Sequence, residues 1–526
     1  MARRMFLIVS TLVILINFIV STQFPQIWWS MLVFGPLILI GLVDMMQERQ
    51  AIRRNFPVIG NFRYVLEFFR PEINQYFVES NTSGTPFNRL DRSLVYQRAK
   101  GELDTLPFGT QKNVYEVGYE WVTHSMVPAH VDPLALRVIV GSSRAKPYAA
   151  SIFNIGAMSF GSLSKNAVMA LNEGAKMGQF AHNTGEGGLT PYHLRGADVI
   201  WQIGTGYFGC RTPDGKFSPE RFVEKATLPQ VKMIEIKISQ GAKPGHGGIL
   251  PAAKVTREIA EIRGVEMGKS VNSPPGHSAF STPIELLMFI ERLRELSGGK
   301  PVGFKLCVGK PREFMAVCKA MVKTGITPDF ITVDGGEGGT GAAPLEFSNY
   351  VGSPLNEGLV IVHNMLVGFS LRNKVRVISS GKINSGFGIL KHMVMGADLC
   401  YSSRGMMLAL GCIQALQCNT NQCPTGVATQ DPSLAGGLVV AQKNKRVANF
   451  HKATVKSFAE ILGAMGFSES NQLRPRHLMR RISLSQVKDY SEIYPFLNDG
   501  DLLQTPLPAA FELAYRTSCA ESFAHV

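Results

Sequence analysis

Six apolar runs whose ends turn polar or small limit this chain's fold more than any other feature. They occupy residues 152–155, 233–238, 302–306, 330–334, 375–379 and 399–403, and each ends in or runs into Gly, Ser or Asp, except 302–306, where Lys305 is the last residue but one. Within them apolar and polar residues do not alternate regularly, so both faces must be buried, as in a parallel sheet covered by helices. Helix-like stretches at 312–324 and 389–395 fall between consecutive runs. Strand–helix alternation of this kind predicts an α/β chain built on a (β/α)8 TIM barrel rather than a Rossmann sheet. No internal period of 20–50 residues competes with it.

The N-terminus follows different rules. Residues 5–20 and 27–43 are two apolar runs separated only by uncharged residues. Each is slightly short of the roughly 20 residues of a spanning helix, and Phe24, Trp28 and Trp29 suit an interface between them. A signal peptide is the competing reading of the first run, because Arg3 and Arg4 precede it. The second run follows at once without a small-residue cleavage site, which favours a transmembrane helical hairpin. Arg3 and Arg4 at one outer end and Arg49, Arg53 and Arg54 at the other place both ends, and the catalytic body, on the cytoplasmic side. The expected organisation is a hairpin over 1–46, a helical linker over 47–130, the barrel over 131–465 and a C-terminal helical extension over 466–526.

A formal charge of +14 invites a nucleic-acid reading. The aromatics are not interleaved with basic residues as in a stacking platform, and no helix-turn-helix or zinc-finger spacing occurs. Arg49, Arg53, Arg54, Arg63 and Arg70 fit an anionic lipid surface better. Eight cysteines without a small-domain framework point to reduced thiols.

Three of those cysteines, Cys412, Cys418 and Cys423, lie in one polar loop, with Pro424 after the last. Soft thiolates so close together suit an iron–sulfur cluster or zinc. A structural zinc site wants four ligands, whereas a cluster lacking one iron needs three. Buried packing is the bland alternative, and the polar loop argues against it.

Phosphate-holding loops are expected after the last two barrel strands. Ser379-Ser380-Gly381-Lys382 and Ser402-Ser403-Arg404-Gly405 occupy those places, so FMN is the natural occupant, with tight-turn glycines as the alternative. Gly335 and Gly336 follow another strand. Gly204-Thr-Gly206-Tyr-Phe-Gly209 matches a dinucleotide fingerprint but opens no amphipathic helix, so it reads as a turn. Lys243 stands in the Gly/Pro-rich loop of Gln240, and Lys305 ends a strand among apolar neighbours. Either cation could stabilise a reduced flavin. Glu186, in a glycine-rich loop, either binds substrate or caps the next segment. His246 and His277 read as hydrogen-bonded loop histidines. No nucleophile elbow, paired-carboxylate site or His-Glu-x-x-His helix appears, so the chemistry falls to cofactors.

Five ordered motifs together resemble the FMN-binding synthase domain of glutamate synthase. They begin at Gly156, Asn183, Gln240 and Gly338 and end with the Cys412–Cys423 loop running on to Pro432. The resemblance implies an FMN barrel with a three-iron, four-sulfur cluster on the three cysteines. It further implies hydride delivery to an imine formed from 2-oxoglutarate and ammonia. Ala157, Met158 and Ser159 would line the flavin, Gln240 and Lys305 would contact its ring, and Ser380, Gly381, Ser403 and Arg404 would hold its phosphate. Lys243 and Glu186 would serve catalysis. The implied partners are an oxo-acid or imine, the bilayer, a ferredoxin-like or NAD(P)H-oxidising donor, and a separate amidotransferase. Leu189 and Ile249 stand where the family carries polar substrate ligands, and His246 replaces a Glu, so 2-oxoglutarate is expected to be a weak acceptor. A different oxo-acid or a membrane electron donor is the rival among enzymes, and a membrane-bound flavin sensor the rival outside them.

Overall fold

The protein is described by a computed structural model over residues 1–524. It divides into two units, Met1–Arg89 and the chain from Leu90 onward.

In the first unit, helix α1 (Ala2–Ser21) leads through a 3₁₀ segment (Pro25–Ser30) into α2 (Met31–Met46). Pro25 opens the 3₁₀ segment, where its missing N–H removes no bond. The two apolar segments run for 20 and 22 residues with mean hydropathies of 2.2 and 1.9, and both are long and apolar enough to cross a membrane. A side chain at Gly41 would collide with the Phe6 ring, so glycine lets the helices approach there. Ser30 donates to Asn17 Oδ1 at 2.5 Å, tying the 3₁₀ segment back to α1. Asp44 is buried at the end of α2 and accepts from Arg53 Nε (2.8 Å), Val58 N (3.0 Å) and Asn61 Nδ2 (2.5 Å). Pro71 does not break the chain as its position suggests. It sits inside the helix Asn61–Ile73, which continues past it into one π turn, Asn74–Val78.

In the second unit eight parallel strands close a barrel: β1 (Phe153–Ile155), β2 (His182–Asn183), β3 (Val199–Ile203), β4 (Val231–Lys237), β5 (Val302–Leu306), β6 (Phe330–Asp334), β7 (Arg376–Ser380) and β8 (Leu399–Ser402). Closure is by β8 on β1, with Cys400 opposite Phe153. All six predicted strands are present. The other two escape a pattern search for physical reasons: β2 has two residues, both polar, and β3 runs straight into the Gly204 turn. That turn opens no helix, since the next one begins at Pro219. On the outside, α3 (Lys165–Gly178) is capped by Ser164. It packs on the 25-residue α4 (Val440–Ala464), where a Cβ on Gly174 would lie 2.7 Å from Val447.

The barrel floor is apolar, with Met233, Phe330, Ile378, Leu399 and Tyr401 buried in one cluster. Above it Glu235 is fully buried and accepts from Asn183 Nδ2 (2.8 Å), Gln202 Nε2 (2.6 Å) and Thr332 Oγ1 (2.5 Å). A carboxylate there is tolerable only because three strands supply donors to it.

The flanking segments are less helical than predicted. The described residues 466–524 contain two strands, Leu478–Arg481 and Val487–Asp489, and among helices only Tyr490–Ile493 and Ala509–Arg516 with two 3₁₀ turns. Pro475, Pro495, Pro506 and Pro508 interrupt longer helices. Leu478–Arg481 pairs antiparallel with Glu120–Val122, so the end of the predicted linker and the C-terminal segment share one small sheet.

Replacing Glu235 by Ala strands three buried donors. We expect a loss of about 3 kcal/mol in the urea-unfolding free energy, with Glu235→Gln costing less. An unchanged midpoint would show that the three donors find other partners.

Candidate active site

All eight strands contribute to one cleft at their C-terminal ends, a space of about 570 Å³ including its mouth. Its wall carries Ala157 and Ser159 after β1, Gly185 and Glu186 after β2, and Gln202 on β3. Lys237 and Gln240 follow from β4 and Lys305 from β5. Asp334, Gly338 and Gly339 come from β6, Ser380, Gly381 and Lys382 from β7, and Ser403 and Arg404 from β8.

Lys237 and Lys305 are register partners on neighbouring strands, and each has its own carboxylate. Lys237 Nζ lies 2.5 Å from Glu186 Oε1, and Lys305 Nζ lies 3.1 Å from Asp334 Oδ2. Asp334 also accepts from the Gly241 N–H at 2.9 Å. Burial alone would push Glu186 up, but Lys237 beside it, with Lys243 and Arg263 further off, holds the carboxyl below its usual range. Burial works against the Lys305 ammonium too, yet Asp334 and Glu235 outweigh it and raise its pKa. Glu186 is walled in by glycines, since a Cβ on Gly204 or Gly248 would lie 2.6 Å from its carboxylate. Likewise any side chain on Gly241 would strike the Gly335 carbonyl, so loops from β4 and β6 touch through bare backbone.

Most residues singled out from sequence line this cleft: Ala157, Ser159, Glu186, Gln240, Lys305, Ser380, Gly381, Ser403 and Arg404. Met158, Gly335, Gly336 and Lys243 are not among the lining residues. Met158 is buried, and Gly335 donates to the Ser380 carbonyl at 3.1 Å. Gly336 packs against the Gly352 carbonyl. Lys243 is buried and donates to the Ala342 carbonyl at 2.9 Å; burial, then the Lys237 charge, lowers its pKa to about 8. Sequence reasoning missed Gln202, Lys237 and Asp334, and named Lys382 only as part of the phosphate loop after β7. A signal for two of them existed, because Lys237 and Asp334 end barrel strands as Lys305 does.

His277 Nε2 donates to the Lys237 carbonyl at 2.8 Å, which can only accept, and in the neutral ring Nδ1 accepts from the Tyr207 hydroxyl at 3.0 Å. Burial lowers its pKa to about 4. Leu189 is buried and Ile249 pairs with Asn272 in a two-residue antiparallel ladder, and neither lines the cleft.

The cysteine loop leaves β8 through the short helix Arg404–Leu410. Gln414, Leu416 and Asn421 all have positive φ (59°, 57° and 68°), a backbone strain that costs of order 1–3 kcal/mol per residue and that clusters where a loop must wrap something. Cys412, Cys418 and Cys423 interact electrostatically with one another. Burial pushes Cys423 up, but the Thr425 hydroxyl and the N–H groups of Ala428, Thr425 and Val427 hold it below its ordinary value. Among the described residues no three His, Cys, Asp or Glu side chains converge on a single ion. A cluster of several irons takes each thiolate on a separate iron, and Cys412, Cys418 and Cys423 are the thiols in this loop that would hold one.

The cleft fits a phosphorylated flavin on its own chemistry. Of the ionisable groups lining the cleft, Lys237, Lys305, Lys382 and Arg404 are cationic and Glu186 and Asp334 anionic, while Glu337 acts on Lys382 and Arg404, and Asp91 on Lys382, from outside the lining; the Lys382 and Arg404 side still offers cations to a phosphate.

The conserved region in glutamate synthase matches residues 124–468. The glutamate synthase large subunit-like protein YerD of Bacillus subtilis is 38% identical over 492 residues, covering 85% of this chain and 93% of that protein. The archaeal-type glutamate synthase [NADPH] of Thermotoga neapolitana is 34% identical over 336 residues, and the archaeal glutamate synthase [NADPH] of Methanocaldococcus jannaschii 35% over 335. The chain spans 63% and 62% of the length of those two. Among solved structures, a mandelate oxidase variant overlaps 82% of the chain with a TM-score of 0.41 at 15% identity.

A double-mutant cycle on Glu186→Gln and Lys237→Met should give a coupling of about 2 kcal/mol, each single change leaving one buried charge unpaired. Additive losses would mean that solvent screens the pair.

Proposed function

The chain belongs to the glutamate synthase family, and from that membership we propose that it is an FMN- and iron–sulfur-dependent oxidoreductase. It reduces the imine of an oxo-acid and ammonia, a reaction at CH–NH2 carbon. The observation that carries this reading is the cleft fed by all eight strand ends, with paired lysines on β4 and β5 and the cations Lys382 and Arg404 toward β7 and β8. Ser380, Gly381, Lys382, Ser403 and Arg404 would hold the phosphate, and Gln240 and Lys305 the ring. Cys412, Cys418 and Cys423 would hold a three-iron, four-sulfur cluster. When bound, FMN supplies the hydride and the cluster supplies single electrons.

The chain's own residues then divide the remaining work. Lys305, kept protonated by Asp334, favours negative charge on the neighbouring ring. Lys243, outside the lining but within electrostatic reach of Lys237 and Glu186, supplies positive charge toward the substrate carboxylate, and Glu186 remains a carboxylate, able to take a proton in the cleft. Leu189 and Ile249 do not line the cleft, so the preference for a less polar, monocarboxylic oxo-acid rests on their place in the family's motifs, where they replace polar substrate ligands. Electrons come from a separate ferredoxin-like or NAD(P)H-oxidising protein and ammonia from a separate amidotransferase. The two apolar helices anchor the protein, with the barrel on the cytoplasmic side.

Stopped-flow reoxidation of dithionite-reduced protein against oxo-acids with ammonia tests the reaction. Monocarboxylic acids should outrun 2-oxoglutarate by about tenfold or more, the worth of one lost charged hydrogen bond. If 2-oxoglutarate is fastest, the substrate assignment falls; if no oxo-acid reacts, the function does. Because the Lys243 pKa is lowered to about 8, its ammonium is lost as pH rises through that value. Acceptor binding should weaken above it, while Lys243→Arg keeps binding on the alkaline side. For the anchor, the protein should stay in alkali-washed membranes, with a reporter after Arg54 on the cytoplasmic side. A cleaved N-terminus would identify the first helix as a signal sequence.

A further inference from the structure

Lys254 is an ammonium buried 1% exposed at the end of a 3₁₀ turn (Ala252–Lys254). Its Nζ donates to two carbonyls, Ala428 at 2.8 Å and Ser162 at 3.1 Å. Ser162 belongs to the loop after β1 that lines the cleft, and Ala428 lies five residues beyond Cys423. The same turn holds the cysteine loop a second way, since Asn421 Nδ2 donates to the Ala253 carbonyl at 3.1 Å. Gln430 Nε2 adds bonds to the carbonyls of Leu163 (2.8 Å) and Gly161 (3.1 Å). The cysteine loop is thus clamped to a loop of the cleft, with one lysine at the junction.

Two carbonyls satisfy hydrogen bonds but not charge. Among the described residues no carboxylate forms an ion pair with Lys254. The groups that face it electrostatically are Cys418 and Cys423, which supply negative charge only as thiolates. A buried ammonium without a counter-charge is unfavourable, so a lysine in this place makes physical sense when the loop is anionic.

We propose that Lys254 is a positioning residue that acts through the Cys418 and Cys423 thiolates, offsetting their charge and raising the electron affinity of the cluster they would hold. This rests on the iron–sulfur reading above. One-electron reduction makes and breaks no bond. It adds one negative charge, which spreads onto the thiolate sulfurs, and Lys254 stabilises that charge.

The test uses full-length protein purified without oxygen, wild type beside Lys254→Met, Lys254→Gln and Lys254→Arg. Iron content is measured first, then the midpoint by electron paramagnetic resonance during a dithionite titration. Glutamine keeps donors for the two carbonyls and removes the charge; arginine keeps the charge. The neutral variants should be about tenfold harder to reduce, a midpoint about 59 mV lower for a one-electron couple, with arginine close to wild type. Loss of iron from both neutral variants but not from arginine also supports the charge. Neutral variants with full iron and an unchanged midpoint overturn this inference alone, as does loss of iron from all three. Wild type without iron overturns the iron–sulfur reading and this inference with it.

Discussion

A charge buried at the mouth of a barrel is stable only where its counter-charge is fixed beside it, and two such pairs govern this site. Glu186–Lys237 and Lys305–Asp334 set adjacent strands β4 and β5 in one layer, with β2 and β6 supplying the acids. The pairs hold both lysines out of water while keeping Glu186 ionised. Below them, Glu235 draws donors from β2, β3 and β6 and separates the charged layer from the apolar floor. The cleft therefore has a rigid polar base, and the cations Lys382 and Arg404 lie to one side, on the loops of β7 and β8. A ligand with a dianionic end and a flat polar body meets complementary charge at both ends of that arrangement.

The barrel was legible because six strands are long, apolar and polar-ended. The two that were not legible are short or merge with glycine-rich loops. Site residues followed the same logic. Lys305 is visible as a lone charge among Phe304 and Leu306, while Lys237 hides in a strand where Glu235 and Lys232 already make charge ordinary. Asp334 shows its role only through a partner 29 residues away in sequence, Lys305. Helices over residues 466–526 were over-read because the prolines there break a mixed segment whose strand pairs with one near residue 120. No local pattern reports such a long-range pairing.

The cysteine loop shows how a strained backbone and a chemical motif support each other. Three left-handed residues and a clamp of side-chain bonds from Lys254, Asn421 and Gln430 fix a loop that by composition should be loose. Ordering such a loop costs conformational entropy, and a multi-iron occupant would offset it with metal–thiolate bonds. The clamp also fastens the loop to the chain that lines the cleft, through Ser162, Gly161 and Leu163.

The central claim is that the cleft at the strand ends is an FMN site, and identification of the flavin released by acid from anaerobically purified protein tests it most directly. The account predicts about one FMN per chain in the wild type, with a sharp fall in Arg404→Ala, which removes a cation from the phosphate side, while the far-ultraviolet spectrum is unchanged. Protein free of flavin, or an Arg404→Ala variant that retains FMN as tightly as the wild type, would contradict it.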